Sequence, residues 1–276
     1  MAASRIALLF SLAVVATAQD AREIVRRSAT HDERNAKLVI NYTFLERNEQ
    51  RQLDESGKIK SKKSKTFDIT IQEGSPYRRL LERDDRPLPP DEEAKEREKL
   101  EKSIAERKKE TEEQHAKRRA DAEKGRQRQR TLLKEIPDAY DFTLLGEESV
   151  SGRPVWVIRA DPRPGYKPHD SSTKLLTKFR GKLWIDKSEY QWARVEAEAI
   201  DSLSFGWFLV RLAKGARIEF EQTRVNDEVW LPRRVLIGYN IRLGLVKKMV
   251  GEVEIQYKNY RKFQADSRLV SAPQPR

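Results

Sequence analysis

The chain has 276 residues, 37% hydrophobic and 36% charged, with 56 Lys and Arg against 44 Asp and Glu for a formal net charge of +12. An average globular domain is about 45–50% apolar and 25% charged, so part of this charge belongs on a solvated extension outside a compact core. Having no cysteine, the chain is excluded from disulfide scaffolds, thiol catalysis, thiolate zinc sites and lipid modification at an N-terminal cysteine.

Residues 1–18 read as a secretory signal peptide. Arg5 is the positive n-region, Ile6 to Ala18 is apolar or small, and Ala16-Thr17-Ala18 is an A-x-A cleavage site. This apolar stretch falls short of the roughly 20 residues a membrane anchor needs. Cleavage after Ala18 is therefore expected, with Gln19 as the first mature residue and a periplasmic or otherwise exported location. Loss of Arg5 takes the net charge from +12 to +11, since no acid precedes residue 19. No other run is apolar for long enough to span a bilayer, which leaves membranes approachable only from their surface.

The mature chain divides by pattern. In 19–90 a short helix over 20–28, with Ala21, Ile24 and Val25 on one face, gives way to a period of two. Leu38, Ile40, Tyr42 and Phe44 alternate with their neighbours as one strand, and Phe67, Ile69 and Ile71 as another, with Ser56-Gly57 between them. A third strand is expected from Tyr77 to Glu82, after the Gly74-Ser75-Pro76 turn.

Residues 91–135 are mostly Glu, Lys, Arg, Gln and Ala. Pro89-Pro90 before Asp91, Glu92 and Glu93 is a helix start, because proline fits the first turn and acids favour the positive end of the helix dipole. Between Ile104 and Leu132 the only apolar residues are alanines. No a/d seam exists, and a long solvated helix, broken at Gly125, is expected rather than a coiled coil. The acids interleaved with its bases argue against a nucleic-acid arm, and no nucleic-acid partner is expected.

In 136–270 the strands return. Tyr140, Phe142 and Leu144 alternate with polar residues, Ser151-Gly152 turns into a strand over 154–160, and Leu183 and Ile185 precede a turn at Lys187-Ser188. In the strand from Trp192 to Ile200, Ala193, Val195, Ala197 and Ala199 face one way, opposite Arg194, Glu196 and Glu198. Further strands surround Ile218 and Phe220, then Val229 to Ile237 after an Asn226-Asp227 turn, then Val253, Ile255 and Tyr257. Nine or ten short-turned strands with one polar and one apolar face imply an antiparallel meander. Residues 271–276 are left as a disordered tail.

A large sheet must cover its apolar face. The expected fold is α+β: a large antiparallel, incompletely closed β-barrel, a half-pipe wrapped on helices, with a long charged helical insert. The stretch 204–215 is the most apolar of the mature chain and reads either as a buried strand or plug helix, or as a flap over a cavity. The inner face alternates small and large residues, with Ala193, Ala197 and Ala199 in the same fold as Trp156, Trp184, Trp192 and Trp230. This leaves room for an unfilled apolar cavity suiting acyl chains at about 0.8 kcal/mol per buried methylene. Its candidate lining is Tyr42, Phe44, Phe67, Ile69, Val195, Phe205, Trp207, Phe208, Leu231 and Ile255. A transmembrane barrel fits worse, because charges such as Arg194 on a lipid-facing surface cost up to roughly 2–4 kcal/mol. The excess of basic charge suits attraction to an anionic membrane surface.

No catalytic constellation stands out. His31, His115 and His169 lie far apart in polar contexts, and there is no HExxH, GxSxG or glycine-rich phosphate loop. Asp84-Asp85 and Asp91-Glu92-Glu93 lack calcium-loop spacing. The chain reads as non-catalytic, with no cofactor and no metal.

The order of signal peptide, short helix and meander, with GKLWIDKSEYQWARVEAE (181–198) and EVWLPRRV (228–235), resembles the LolA/LolB-like superfamily of periplasmic lipoprotein-sorting proteins, which includes the sensor RseB and mycobacterial lipid-binding lipoproteins. The blocks TFLERNEQ (43–50), RLLERDDRPLPPDEE (79–93) and YKNYRKFQADSRLV (257–270) resemble a group of exported bacterial proteins of that class. The resemblance implies a half-pipe holding acyl chains of lipids or lipoproteins. It also implies a cavity arginine, for which Arg47, Arg180 and Arg211 are all candidates. The insert at 91–135 is not part of the simple carrier fold. The alternative it leaves open is an RseB-like envelope-stress sensor or scaffold, docking an envelope protein through 91–135.

Overall fold

A computed structural model describes residues 21–32, 34–54, 56–72, 75–170, 173–205, 210–243 and 247–263. The signal-peptide and tail expectations, and those for Trp207 and Phe208, fall outside these residues. The chain opens with helix α1 (21–32 and 34–39). Strands β1 (Tyr42–Leu53), β2 (Ile59–Gln72), β3 (Ser75–Arg83) and the two-residue β4 (Arg86–Pro87) follow. Helices α2 (Pro90–Lys108) and α3 (Glu112–Ala139) lead to β5 (Tyr140–Val150), β6 (Arg153–Pro162), a 3-10 segment (Thr173–Lys178), β7 (Phe179–Asp186) and β8 (Trp192–Ala199). The rest is β9 (Leu203–Phe205), β10 (Val210–Leu212), β11 (Arg217–Val225), β12 (Val229–Leu243) and β13 (Lys247–Lys262).

The strands form one antiparallel sheet in the order β4-β3-β2-β1-β13-β12-β11-β8-β7-β6-β5, with β10 joining β12 and β9 to the side. Along this order sequence neighbours pair, except that β11 pairs with β8 and β13 returns to pair with β1. The two ends of this order are not bonded to each other among the described residues, so the sheet is an incompletely closed barrel. Three of its hairpins carry two successive positive φ angles, at Asp84-Asp85 (52° and 59°), Ser151-Gly152 (51° and 78°) and Asn226-Asp227 (52° and 54°). That is the I′ geometry, whose twist matches that of the flanking strands.

Two local expectations are corrected. The first helix does not stop at 28 but runs to 39, taking in Leu38, and β1 begins only at Tyr42. Tertiary contacts override the period-two pattern there. The buried Asn35 side chain donates to the Trp230 carbonyl at 2.7 Å and accepts from the Trp230 N–H at 2.8 Å, acting as a short stretch of partner strand for β12. Val39 then packs beside Tyr42, Val229 and Leu231. The second correction concerns the insert, which breaks at 109–111 and not at Gly125. Thr111 caps α3 by accepting from the Gln114 N–H while the Gln114 side chain accepts from the Thr111 N–H, a capping box that gives two orphan donors partners. Gly125 lies inside α3.

The helices of the insert do different work. The ion pair Arg83–Glu92 (2.9 Å) sits near the start of α2. Near its end, Arg107 donates to the carbonyls of Gln72 (2.8 Å) and Ser75 (3.1 Å). Helix α2 therefore runs along the edge strand β3, covering groups that would otherwise invite edge-to-edge pairing. Helix α3 leaves this edge, where Arg118 bonds Ser75, and reaches the opposite edge, where Leu132, Ile136 and Ala139 join the core.

The cross-strand register sorts the residues into two faces. Leu144, Ile158, Leu183, Val195, Phe220, Val235 and Ile255 form one row across seven strands. The parallel row carries Phe142, Ala160, Gly181, Ala197, Ile218, Ile237 and Val253. On this face α1, the end of α3 and the 3-10 segment build the main core, with Ala21, Val25, Ile158 and Ile185 fully buried. The opposite face holds a second cluster of Val155, Val157, Trp184, Ala193 and Trp230. Ala193 is thus not on the side of Val195: the register slips between Trp184 and Ile185 opposite β8, and the bulge turns it over. Trp184 and Trp230 likewise leave the inner face, while Trp156 and Trp192 keep to it.

The rest of the opposite face is a lattice of ion pairs. Glu49, with only 4% of its side chain exposed, is held by Arg47 (2.5 Å), Arg51 (2.6 Å) and Lys62 (3.2 Å). Glu254 bridges Arg51 and Arg234, both at 2.6 Å. Burial alone would raise the Glu49 pKa, but the hydrogen bonds from Arg47, Arg51 and Lys62 outweigh it and bring the carboxyl down to about 2. A lowered folded-state pKa stabilises the protein above the unfolded value and loses that stabilisation as pH falls toward the folded one. Acid titration should therefore destabilise the fold between about pH 4.5 and 2, and Glu49→Gln should be less stable at pH 7 with a shallower loss across that window. Urea unfolding at stepped pH checks this, and parallel curves for the two proteins would refute it.

Candidate ligand-binding face

The apolar face is not fully packed. Between the sheet, the end of α3 and the 3-10 segment lies a cavity of about 170 Å³, lined by Ile136, Tyr140, Leu175, Leu176, Phe179, Leu183, Trp192, Val195, Ala197 and Ile218 among others. Its floor is low because three neighbouring strands present Ala160, Gly181 and Ala197 in register. A side chain on Gly181 would meet the Glu196 carbonyl oxygen at 2.5 Å, which keeps that position bare. Beyond the cavity, Phe220, Val235, Ile237, Val253 and Ile255 are half-buried, extending the apolar surface along the sheet. The lining is almost wholly hydrocarbon. Burial pushes the Tyr140 hydroxyl strongly upward, so it stays neutral. One polar group stands apart: the Trp192 indole N–H is buried with no hydrogen-bond partner among the described residues.

The structure separates the described residues expected to line a cavity. Val195 lines it, and Ile255 lies on the same row farther along the sheet. Tyr42 and Leu231 are buried in a closed cluster with Val229, against Val39 and Tyr260. Phe44, Phe67 and Ile69 lie at the β1–β2 end, where Phe44 stacks with Tyr257 and Tyr260 and the Arg78 guanidinium covers the Phe67 ring at 3.6 Å. The backbone of Phe205 belongs to β9, in register with Val210. Sequence reasoning missed Tyr140, Leu175, Leu176 and Phe179. The first was seen only as a strand residue, Leu175 and Leu176 lie in the 3-10 segment, which has no periodicity, and Phe179 opens β7.

Of the arginines considered for the cavity, only Arg180 borders it among those whose side chains are described. Arg47 is engaged on the opposite face by Glu49 and by Asp85 at 2.7 Å, and Arg180 pairs with Glu198 at 3.3 Å on the rim. The side chain of Arg211 lies outside what the structure describes. A larger hollow, about 510 Å³, opens on the charged side and is lined by Arg159, Asp161, Arg180, Lys182, Glu196, Glu198, Arg217 and Glu219. Pairs such as Arg159–Asp161 (2.9 Å) engage part of that lining. Its chemistry does not suit hydrocarbon.

Of the histidines, His31 stacks on Tyr190, His115 neighbours Glu110, and His169 contacts Glu135 at 3.1 Å. Among the described residues no group of three or more His, Asp or Glu could hold a metal ion, and no helix is long and apolar enough to cross a membrane.

No family model and no curated protein matches the chain. Among solved structures it is similar to a domain from Vibrio parahaemolyticus named for outer membrane lipoprotein sorting, at 12% identity and a TM-score of 0.37, covering 91% of this chain and 95% of that one. It is similar also to a LolA superfamily protein from Nitrosomonas europaea, at 10% identity and a TM-score of 0.32, over 88% of this chain and 93% of that one. A third likeness is to the MucA/MucB complex of Pseudomonas aeruginosa, at 11% identity and a TM-score of 0.24, over 86% of this chain and 99% of that one.

Proposed function

We propose that this protein is a non-catalytic carrier that holds an acyl chain of a lipid or lipoprotein against the apolar face of its half-pipe, in an exported compartment. The observation that carries this reading is the apolar cavity continued by a half-buried hydrophobic row. Size sets the mode of binding. A cavity of about 150 Å³ lined by aliphatic and aromatic side chains takes a guest the size of benzene, whereas pockets that enclose whole ligands measure about 300–1,000 Å³. At about 170 Å³, this one holds the end of a chain, and the remaining methylenes lie along Val195, Phe220, Val235 and Ile255. The unpaired Trp192 N–H adds a donor that a guest carbonyl or carboxyl would satisfy.

Titration with a fluorescent fatty acid, together with mass spectrometry of an organic extract of the purified protein, tests the reading. The expected result is saturable uptake, displaced by unlabelled fatty acid, and co-extracted lipid. No uptake and no lipid would leave an apolar face without a guest and end the proposal.

A further inference from the structure

The middle of α3 is unusual for a helix in a folded protein. Residues 119–129 are exposed on every side, through three full turns, while both ends of the helix are anchored. At about 1.5 Å per residue its 28 residues span roughly 42 Å, from the Ser75 corner of one sheet edge to the core beneath β5 at the other. No hydrophobic stripe explains why this rod is kept, since its only apolar residues there are alanines.

Charge does set it apart. From 117 to 130 it carries seven bases (Lys117, Arg118, Arg119, Lys124, Arg126, Arg128, Arg130) and two acids (Asp121, Glu123), a net of +5. Helix α2, by contrast, carries six bases and seven acids over 90–108, a net of −1. Within α3, Arg119 pairs with Glu112 (2.7 Å), and Arg126 (2.8 Å) and Arg130 (3.0 Å) share Glu123. Lys117, Lys124 and Arg128 make no such pair among the described residues. They recur at i, i+7 and i+11, which places them on one stripe of the helix.

We propose that this stripe is the surface by which the protein docks on an anionic bilayer, with the negatively charged lipid headgroups as its partner. Headgroups suit the arrangement better than a folded protein would. A row of long, unpaired cations with no apolar anchor between them offers charge without the buried hot spot that a protein interface requires. The rod also bridges the two sheet edges on the side of the apolar face, so docking there would bring the half-pipe to the membrane. The proposal deepens the carrier reading and rests on it for its purpose, not for the binding itself.

Co-sedimentation of the full chain with vesicles tests it. Vesicles of three parts phosphatidylglycerol to one part phosphatidylcholine should bind at low salt, pure phosphatidylcholine should not, and binding should fall steeply toward physiological ionic strength. A basic residue near an anionic surface contributes about five-fold in affinity, so Lys117→Gln, Lys124→Gln and Arg128→Gln combined should weaken binding about 100-fold. Glutamine keeps the helix propensity, and circular dichroism should be unchanged. A control removing the same charge at the exposed Lys58, Lys60 and Lys63 should lose far less. Equal loss in both variants would show diffuse attraction and overturn the proposal. So would unchanged vesicle binding by the α3 variant, including the case where that variant instead loses a protein partner. Fatty-acid uptake in solution separates the two readings: a wild-type protein that binds vesicles through α3 but takes up no fatty acid would sink the carrier alone.

Discussion

Replacing Ala197 with phenylalanine should leave the sheet folded and cut fatty-acid affinity about 100-fold. Ala197 sits in register with Gly181 and Ile218 on the cavity floor, and the added ring would project into a space of about 170 Å³. Displacing three or four methylenes, at about 0.8 kcal/mol each, removes about 3 kcal/mol of binding. Overpacking a site that has room should cost no more than the usual 1–3 kcal/mol in stability. Probe titration and thermal unfolding of the same preparation distinguish the outcomes. A folded variant with wild-type affinity would show that the chain end lodges elsewhere.

The largest loss of stability is expected at Asp186. This carboxylate is fully buried at the end of β7. It accepts from Arg153 Nε (2.6 Å) and Nη2 (3.1 Å), from the Ser188 N–H (3.0 Å) and hydroxyl (2.8 Å), and from the Glu189 N–H (2.8 Å). Burial works to raise its pKa, and these donors overcome it, so the pKa lies below the usual carboxylate range. Alanine would leave the donors around a void, the situation in which breaking a buried pair costs about 3–5 kcal/mol. Asparagine should lose less, because it keeps one acceptor oxygen. Urea unfolding at pH 7 measures both, and a loss under 1 kcal/mol for Asp186→Ala would show that the turn holds without its carboxylate. The sign with pH matches that of Glu49: the Asp186 contribution is present at neutral pH and disappears on acidification.

The sheet was legible in the sequence because its alternation is clean where one face meets water. Ile218 and Phe220 against Glu219 and Glu221, or Val253 and Ile255 against Glu252 and Glu254, declare a period of two that no helix tolerates. Legibility failed where a single long-range contact decides the matter. Leu38 and Ile40 continue the alternation of Tyr42 and Phe44, yet Asn35 binding the backbone of Trp230 keeps the chain helical to residue 39. Ala193 belongs to the pattern of Val195 and Ala197, but one slipped residue in the β7–β8 pairing sends it to the other side. The cavity was legible in kind more than in place. Of the alanines of β8, Ala197 lines the hollow while Ala193 lies on the other face and Ala199 is buried, and the position of the hollow depends on where a 3-10 segment without periodicity settles. Leu231 was as hydrophobic as any residue of the lining, yet it is buried in a cluster with Tyr42, against which Val39 of α1 packs.

The pairing of β1 with β13 has a consequence for how the chain comes into being. On this side of β1, Tyr42 is paired with Lys262 and Leu53 with Val250. During synthesis β1 to β3 can form early, but one side of β1 stays vacant until almost the whole protein has been made. Such distant pairings slow folding, and a waiting strand edge is a template for the wrong neighbour. In β1 the stretch Glu46–Arg47–Asn48–Glu49–Gln50–Arg51 is charged or amide at every position. The nascent chain therefore waits with an edge that repels casual zippering, and the acids and arginines that later lock the seam first serve to keep it single.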